Sequence, residues 1–228
     1  MLTDRALLRL HIEAVWGVKL PLIEQQDVEL AEDSARPAWQ LCVAELANEH
    51  IQIWRPDVTL DERPELLARV HRALSLPPTT PAEPGIAREV ALHRVAAPRI
   101  DAQTVQLLAR PLNAGDWALV EDFEAGSAPY YFQAARHPLI GVIIDGRLLS
   151  LAHSSRRTSE ACELGIDTRP EARRKGYALA ATVLWADTVA REGLVPLYSA
   201  FSDNTASLGL AAAAGYRIFA RAANYQKP

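Results

Sequence analysis

The sequence predicts an α+β protein in two parts, a small N-terminal α+β unit over residues 1–104 and a larger mixed unit over 105–228. Three observations carry this. The stretch PPTTPAEPG at 77–85 interrupts the chain with four prolines, and Ala96-Ala97-Pro98 makes a second break. Asp145-Gly146 joins two apolar runs in the manner of a hairpin. Beyond it, apolar runs of strand length alternate with runs of helical period.

Taken in order, MLTDRALLRLHIEAVWG sets Arg5, Arg9 and Glu13 among apolar residues, the pattern of an amphipathic helix and not of a signal peptide. Residues 39–46 and 50–54 read as short strands around Ala47-Asn48-Glu49. Residues 61–74 read as a helix, with Leu66, Leu67, Val70 and Leu74 on one face and Asp61 placed to cap its start. The prolines of 77–85 forbid regular helix and favour an extended connector.

Residues 105–112 read as a strand and 116–123 as a helix. Residues 139–144 and 148–152 form the hairpin pair, because a type I′ turn needs positive φ at both central positions. A strand over 162–168 leads through a loop to a helix over 176–191, with Leu179, Val183, Ala186 and Ala190 along one side. Residues 196–201 read as a strand and 205–214 as a helix that Gly215 ends as a C′ glycine. Residues 216–222 make a last strand.

The 228 residues are 49% hydrophobic with a formal net charge of −4, enough for a core and against broad nucleic-acid binding. Cys42 and Cys162 form no CxxC pair and read as reduced, buried thiols. The longest mostly apolar run, 177–186, is short of the ~18 residues a membrane span needs. A soluble, cytoplasmic protein with no membrane partner, no nucleic-acid partner and no metal is expected.

One stretch stands out against this mildly acidic background. RRKGYA, residues 173–178, crowds three cations at the point where a helix starts. The first N–H groups of a helix are unpaired, and the macrodipole already adds about half a positive charge there. Cations at that end oppose the dipole, and an anion would relieve the conflict; phosphate binds at such places. Gly176 lets a ligand approach the backbone, Ala178 keeps the next turn open, and Arg173 and Arg174 can fork onto phosphate oxygens beside Lys175. A solvated basic loop is the plainer alternative. Walker, Rossmann, HExxH and GxSxG patterns are all missing from the sequence.

These residues resemble the signature of the GNAT superfamily of acyl-CoA-dependent N-acyltransferases, [QR]-x-x-G-x-[GA], filled by Arg173, Gly176 and Ala178. The string ELGIDTRPEARRKGYA is similar to a bacterial GNAT subgroup in particular. A second element agrees: in SDNTASLGLAAAAGY, Asn204, Ser207 and Gly215-Tyr216 stand where the family places a cofactor-contacting Asn, a small helix and a Gly-aromatic pair. The resemblance covers about residues 105–228. It implies a GNAT fold with a splayed mixed sheet and acetyl-CoA (coenzyme A) as cofactor. The pyrophosphate would sit on backbone amides from Arg173 through Arg174, Lys175, Gly176 and Tyr177 to Ala178. Ile166, Asp167 and Thr168 would pair with the pantetheine arm, and Asn204 and Ser207 would contact the cofactor. One strand amide would polarise the thioester carbonyl.

The implied activity is transfer of an acetyl group to a primary amine of a small molecule or peptide. A lysine-like amine has a pKa near ~10.4 and must lose a proton. Glu163 is the first candidate base, Glu160 a weaker one; Glu163 could equally be a solvent-facing charge or a partner of Arg156 or Arg157. Many family members carry a Tyr seven positions after the Asn, where this chain has Ala211. Tyr216 and Tyr198 are the substitutes for that general acid, and Tyr216 also reads as a packing residue. Asn204 could simply cap its helix. Tyr130, Tyr131 and Phe132 form an aromatic cluster, and His153 ends the hairpin; both fall where the family's acceptor site lies, or belong to the core. Ala211 leaves open a degenerate, acyl-CoA-binding regulatory module. The first hundred residues would wall the acceptor pocket, recruit a protein partner for acetylation, or form a homodimer.

Overall fold

The computed structural model describes residues 2–227. Its elements in chain order are helix α1 (Asp4–Trp16), strands β1 (Asp27–Glu29), β2 (Leu41–Glu45) and β3 (His50–Trp54), α2 (Arg63–Ser75) and β4 (Ile86–Arg94). There follow α3 (Ala102–Leu108), β5 (Ala109–Pro111), α4 (Trp117–Phe123), α5 (Ala128–Tyr131), β6 (Ile140–Ile144), β7 (Arg147–Arg157) and β8 (Ala161–Thr168). The chain ends with α6 (Tyr177–Arg191), β9 (Val195–Phe201), α7 (Thr205–Ala213) and β10 (Tyr216–Tyr225). The fold is α+β with parallel and antiparallel strand pairs, as expected.

Two compact units are present, and β9, α7 and β10 contribute residues to both. The first holds residues 2–93, 199–208 and 218–227. Its strand order is β1-β3-β2-β10-β4-β9. The face of this sheet that meets α2 buries Leu41, Val43, Trp54, Ala223 and Tyr225 in one core cluster with Val70 of the helix. Helix α1 is built as its sequence indicates, with the Thr3 hydroxyl accepting from Ala6 N at 3.2 Å and Gly17 closing the other end at φ 65°.

Three details of this unit differ from the sequence reading. β4 is a nine-residue strand that no pattern announced. Asp61 does not cap α2; Glu62 precedes that helix and its Oε2 accepts from Thr59 N and Thr59 Oγ1 at 3.0 and 2.8 Å. The proline-rich connector is wrapped around a side chain and is not extended throughout. Arg88 of β4, only 9% exposed, donates through Nη1 to the carbonyls of Ala73, Leu76 and Pro77 at 3.2, 3.1 and 3.0 Å. Its Nη2 donates to Pro78 O at 3.0 Å and to Thr80 O. Pro77 and Pro78 have no N–H to build a ladder with, so one buried guanidinium collects their carbonyls instead.

The second unit holds residues 94–198 and 209–217. Its strand order is β9-β8-β7-β6-β5. The hairpin forms as predicted: β6 and β7 pair through Ile144 and Arg147, and Asp145 and Gly146 adopt φ 50° and 74°. The strand expected over 105–112 is mostly helix; Asp101 caps α3 by accepting from Thr104 N at 2.9 Å, and only Ala109–Pro111 is strand. Gly215 ends α7 at φ 89°, and a Cβ there would lie 2.1 Å from the Ala96 carbonyl oxygen, so only glycine fits.

The two faces of this sheet are covered differently. Successive side chains of β8 alternate, so Cys162, Leu164 and Ile166 share one face and Glu163, Gly165 and Asp167 the other. Helix α6 covers the first: Trp185 is fully buried and its Nε1 donates to Ser154 Oγ at 3.3 Å, opposite Leu164 in register. Helices α4 and α5 cover the second, packing Val120, Ala128 and Tyr131 on Leu148 and Leu151.

Replacing Arg88 by Met keeps the aliphatic stem and orphans the connector carbonyls. Urea denaturation of Arg88→Met is expected to show a loss of about 3 kcal/mol; a loss below about 1 kcal/mol would show that the connector needs no such clamp.

Candidate active site

The cationic turn lies between β8 and α6, where the sequence placed it. A short 3-10 turn, Pro170–Ala172, leads into it. Arg174 adopts φ 59° and Gly176 φ 82°, so two residues on either side of Lys175 stand in the left-handed region. Alternation of this kind turns successive N–H groups toward one concave side and makes an anion nest. Gly176 is the N-cap of α6 and no side chain caps the helix. The first bond back to it runs from Ala180 N to Gly176 O at 3.0 Å, so the earlier N–H groups of the helix point out of its start. Arg173, Arg174 and Lys175 are exposed, and among the described residues none of them joins an ion pair.

The strand leading into the turn is open on one side. The ladder between β8 and β9 covers only Ala161↔Val195, Cys162↔Pro196 and Glu163↔Leu197, although β8 runs on to Thr168. Ile166, Asp167 and Thr168 therefore lie beyond the paired part of the strand. On the β7 side they stay in register, with Ala152, Leu151 and Ser150. The Ser150 hydroxyl lies 2.8 Å from Thr168 Oγ1 and donates to Asp167 O at 3.1 Å, which fixes the last turn of the strand before the nest.

Glu163 is not a solvent-facing charge; it is 4% exposed. Arg157, named above as a partner for it, pairs with Glu192 at 2.7 Å. Glu163 acts on the phenol of Tyr216, whose ring lies 5.5 Å from that of Tyr198. Tyr216 is 1% exposed, and burial pushes its pKa well above the usual phenol range, against the opposing pull of Arg94. Its hydroxyl has no hydrogen-bond partner among the described residues. Ala211 is fully buried in α7.

Asn204 and Ser207 belong to the first unit. There Asn204 Oδ1 accepts from Ser207 N at 3.0 Å, so Asn204 does cap α7.

The structure brings together groups that the sequence presented separately. Tyr130 and Tyr131 of α5 set their rings edge-on to His153 of β7, at 5.8 and 5.0 Å between centroids. The Tyr131 hydroxyl reaches Glu124 Oε2 at 3.3 Å and Asp167 Oδ2 at 3.4 Å. Desolvation, and then the Glu124 charge, push the Asp167 carboxyl up from its ordinary value. Arg136 stacks its guanidinium 4.1 Å over the Tyr130 ring. Burial, helped by Arg136 and Arg156, holds His153 down to about 4. Phe132 stacks instead on Trp117, 5.4 Å away. Glu124 and Arg136 escaped the sequence reading because single charges in a loop carry no period. Among the described residues no group of His, Cys, Asp and Glu side chains could hold a metal ion, and no helix is long and apolar enough to cross a membrane. Both cysteines are buried and free.

The family model for GNAT acetyltransferase matches residues 108–225, more than half of the chain. The chain belongs to the GNAT acetyltransferase family. Acetyl transfer dependent on acetyl-CoA is the activity that membership implies. No curated protein matches the sequence significantly. Among solved structures, it is similar in fold to a GNAT-family acetyltransferase from Colwellia psychrerythraea, with a TM-score of 0.50 and 16% identity over 62% of this chain. The chain spans 56% of that protein's length. A GCN5-related N-acetyltransferase-like protein from Streptococcus suis gives a TM-score of 0.45 and 15% identity, with 86% of this chain and 87% of that one covered. A Salmonella typhimurium protein solved with its cofactor acetyl-CoA gives 0.39 and 15%, over 51% of this chain and 90% of that one.

Arg174 occupies a backbone conformation that costs a non-glycine residue about 1–2 kcal/mol. Arg174→Gly is expected to match or exceed the wild type in unfolding free energy, by up to about 1 kcal/mol, while binding inorganic pyrophosphate several-fold more weakly. Urea denaturation and calorimetry measure the two. A variant that lost stability and kept its pyrophosphate affinity would mean that Arg174 serves the fold and not an anion.

Proposed function

We propose that this chain moves an acetyl group from acetyl-CoA to the primary amine of a small molecule or peptide. The observation that supports this most directly is the uncapped start of α6 behind a turn with two left-handed residues and three unpaired cations. That arrangement offers backbone donors and positive charge to a diphosphate and has no use for them otherwise. Arg173 to Ala178 take the pyrophosphate of acetyl-CoA in this reading. The unpaired edge of β8, Ile166 to Thr168, takes the pantetheine arm.

The chemistry then follows the polar face of β8. The neutral amine attacks the thioester carbon, a C–N bond forms, the C–S bond breaks, and its electron pair leaves on sulfur. Glu163 is the proposed base and takes the proton the nitrogen gives up. Tyr216 is the proposed acid: burial keeps its phenol protonated, and its hydroxyl has no hydrogen-bond partner among the described residues. It gives its proton to the departing thiolate, and Glu163 returns the amine's proton to the phenolate, so the pair ends as it began. The CoA thiol, with a pKa near ~8.5, is a good enough leaving group to make the acid a modest contributor. Ala211 favours a second reading, in which the chain binds acyl-CoA and regulates without turnover.

Calorimetric titration with acetyl-CoA, beside the same titration of Gly176→Glu, tests the cofactor site. Binding in the micromolar range that the variant loses is expected, since a carboxylate at this position repels the diphosphate. Wild-type affinity in Gly176→Glu would remove the turn from the assignment, and a wild type that did not bind would sink the proposed function. Glu163→Gln is expected to lower turnover about 100-fold at unchanged acetyl-CoA affinity, measured by thiol release. Unchanged turnover would take Glu163 out of the mechanism. A wild type that binds acetyl-CoA and acetylates no amine would favour the regulatory reading.

A further inference from the structure

Beside the polar face of β8, strand β7 holds a buried group to which this reading gives no task. His153 is 5% exposed, and its Nδ1 has no hydrogen-bond partner among the described residues. Leaving a buried polar atom unpaired costs stability. The fold makes room for it all the same. A Cβ at Gly165, its register partner on β8, would lie 2.2 Å from His153 Cε1, 2.6 Å from Nε2 and 2.9 Å from Nδ1. The imidazole therefore fills the space of the side chain that Gly165 lacks. Tyr130 and Tyr131 close the ring from the α5 side. Gly165 itself lies between Glu163 and Asp167 on the face described above.

We propose that His153 contacts the acceptor, its free ring nitrogen accepting a hydrogen bond from an N–H of the incoming primary amine and so turning the nitrogen lone pair toward the thioester carbon. This rests on the acetyl-transfer reading above. The charged groups around the ring fit the role. Arg136 and Arg156 disfavour an imidazolium, and the two carboxylates on the α5 side, Glu124 and Asp167, are engaged by the Tyr131 hydroxyl. With a pKa near 4 the ring stays neutral wherever an amine is assayed, so it offers a lone pair and adds no repelling charge. So weak a base orients the amine and does not take its proton, which goes to Glu163 as before.

The division of labour sets an acceptor class. A neutral primary amine has two hydrogens, one for the His153 hydrogen bond and one to be lost to Glu163. A neutral secondary amine has one and cannot satisfy both. The site thus selects primary over secondary amines by counting N–H groups, and a polar site rejects an analogue lacking one strongly.

The test uses the full chain with acetyl-CoA and two probes, benzylamine and N-methylbenzylamine, following thiol release. The wild type is expected to prefer benzylamine. His153→Leu is expected to lower kcat/KM for benzylamine about 30-fold, to narrow the preference between the two amines, and to leave calorimetric acetyl-CoA affinity unchanged. His153→Gln, which keeps an acceptor oxygen, recovers most of the loss. Gly165→Ala, which drives the ring from its seat, reproduces it. If His153→Leu binds acetyl-CoA normally and keeps benzylamine kcat/KM within about 3-fold, or if His153→Gln falls as far as His153→Leu, the residue only packs and the proposal is overturned. A wild type that binds acetyl-CoA and acetylates neither amine overturns amine transfer itself, which is a different failure from loss of the His153 effect.

Discussion

The antiparallel register of β7 with β8 is the constraint on which the second unit depends. Side chains alternate along a strand, so a slip of one residue would send Glu163, Gly165 and Asp167 to the α6 side and bring Cys162, Leu164 and Ile166 to the polar side. Three features pin the register. The hairpin turn at Asp145-Gly146 sets where β7 begins. The bulge between Ser154 and Arg156 absorbs one residue just where the ladder reaches Glu163. His153 against Gly165 is a pair that no neighbouring register could make, because the ring needs a position without a Cβ. Apolar burial on the α6 side supports the same choice, with Trp185, Ala181 and Val183 fully or nearly buried.

The turn after β8 carries the opposite kind of design. Its residues are exposed, its backbone includes a strained Arg174, and its three cations sit at the positive end of α6. Each of these terms costs the fold a modest amount. A fold that needed only a connection between strand and helix would use a side-chain cap and a neutral loop. The strain is affordable because the loop is anchored on both sides, by Ser150 on Thr168 before it and by the buried start of α6, Ala180 and Ala181, behind it.

Much of this was legible from residue types alone. The hairpin was readable because a type I′ turn demands positive φ twice and Asp-Gly supplies it. The α6 helix and its cationic start were readable because period and charge coincide within six residues. Other elements hid for physical reasons. β4 has Arg88 and Glu89 in its first half, and Arg88 turns inward to carbonyls that lie 8 to 15 residues away in sequence, so its apolar alternation is broken by a buried charge. α3 was hidden by Val105, Leu107 and Leu108, whose near-alternation imitates a strand; the Asp101 cap, four residues before Val105, was the competing signal. The polar face was half legible. The aromatic cluster and His153 were visible as residues, but their meeting depends on Gly165, and an absent side chain leaves no mark in a sequence.

The polar face is assembled from neutral groups and paired charges as far as its hydrogen bonds show. The groups on the polar face are few, and most are spoken for. Tyr131 engages two carboxylates, and Arg136 lies on Tyr130. Among the described residues, the atoms without a hydrogen-bond partner include a ring nitrogen of His153 and, on β10, the hydroxyl of Tyr216, both buried and both without formal charge. Unpaired neutral groups cost far less to hold in a dry site than an unpaired charge would. They are still strongly directional when a partner arrives, because little water competes for them. A site built this way holds its geometry through packing, and its free directional groups are what the proposed discrimination among amines would draw on.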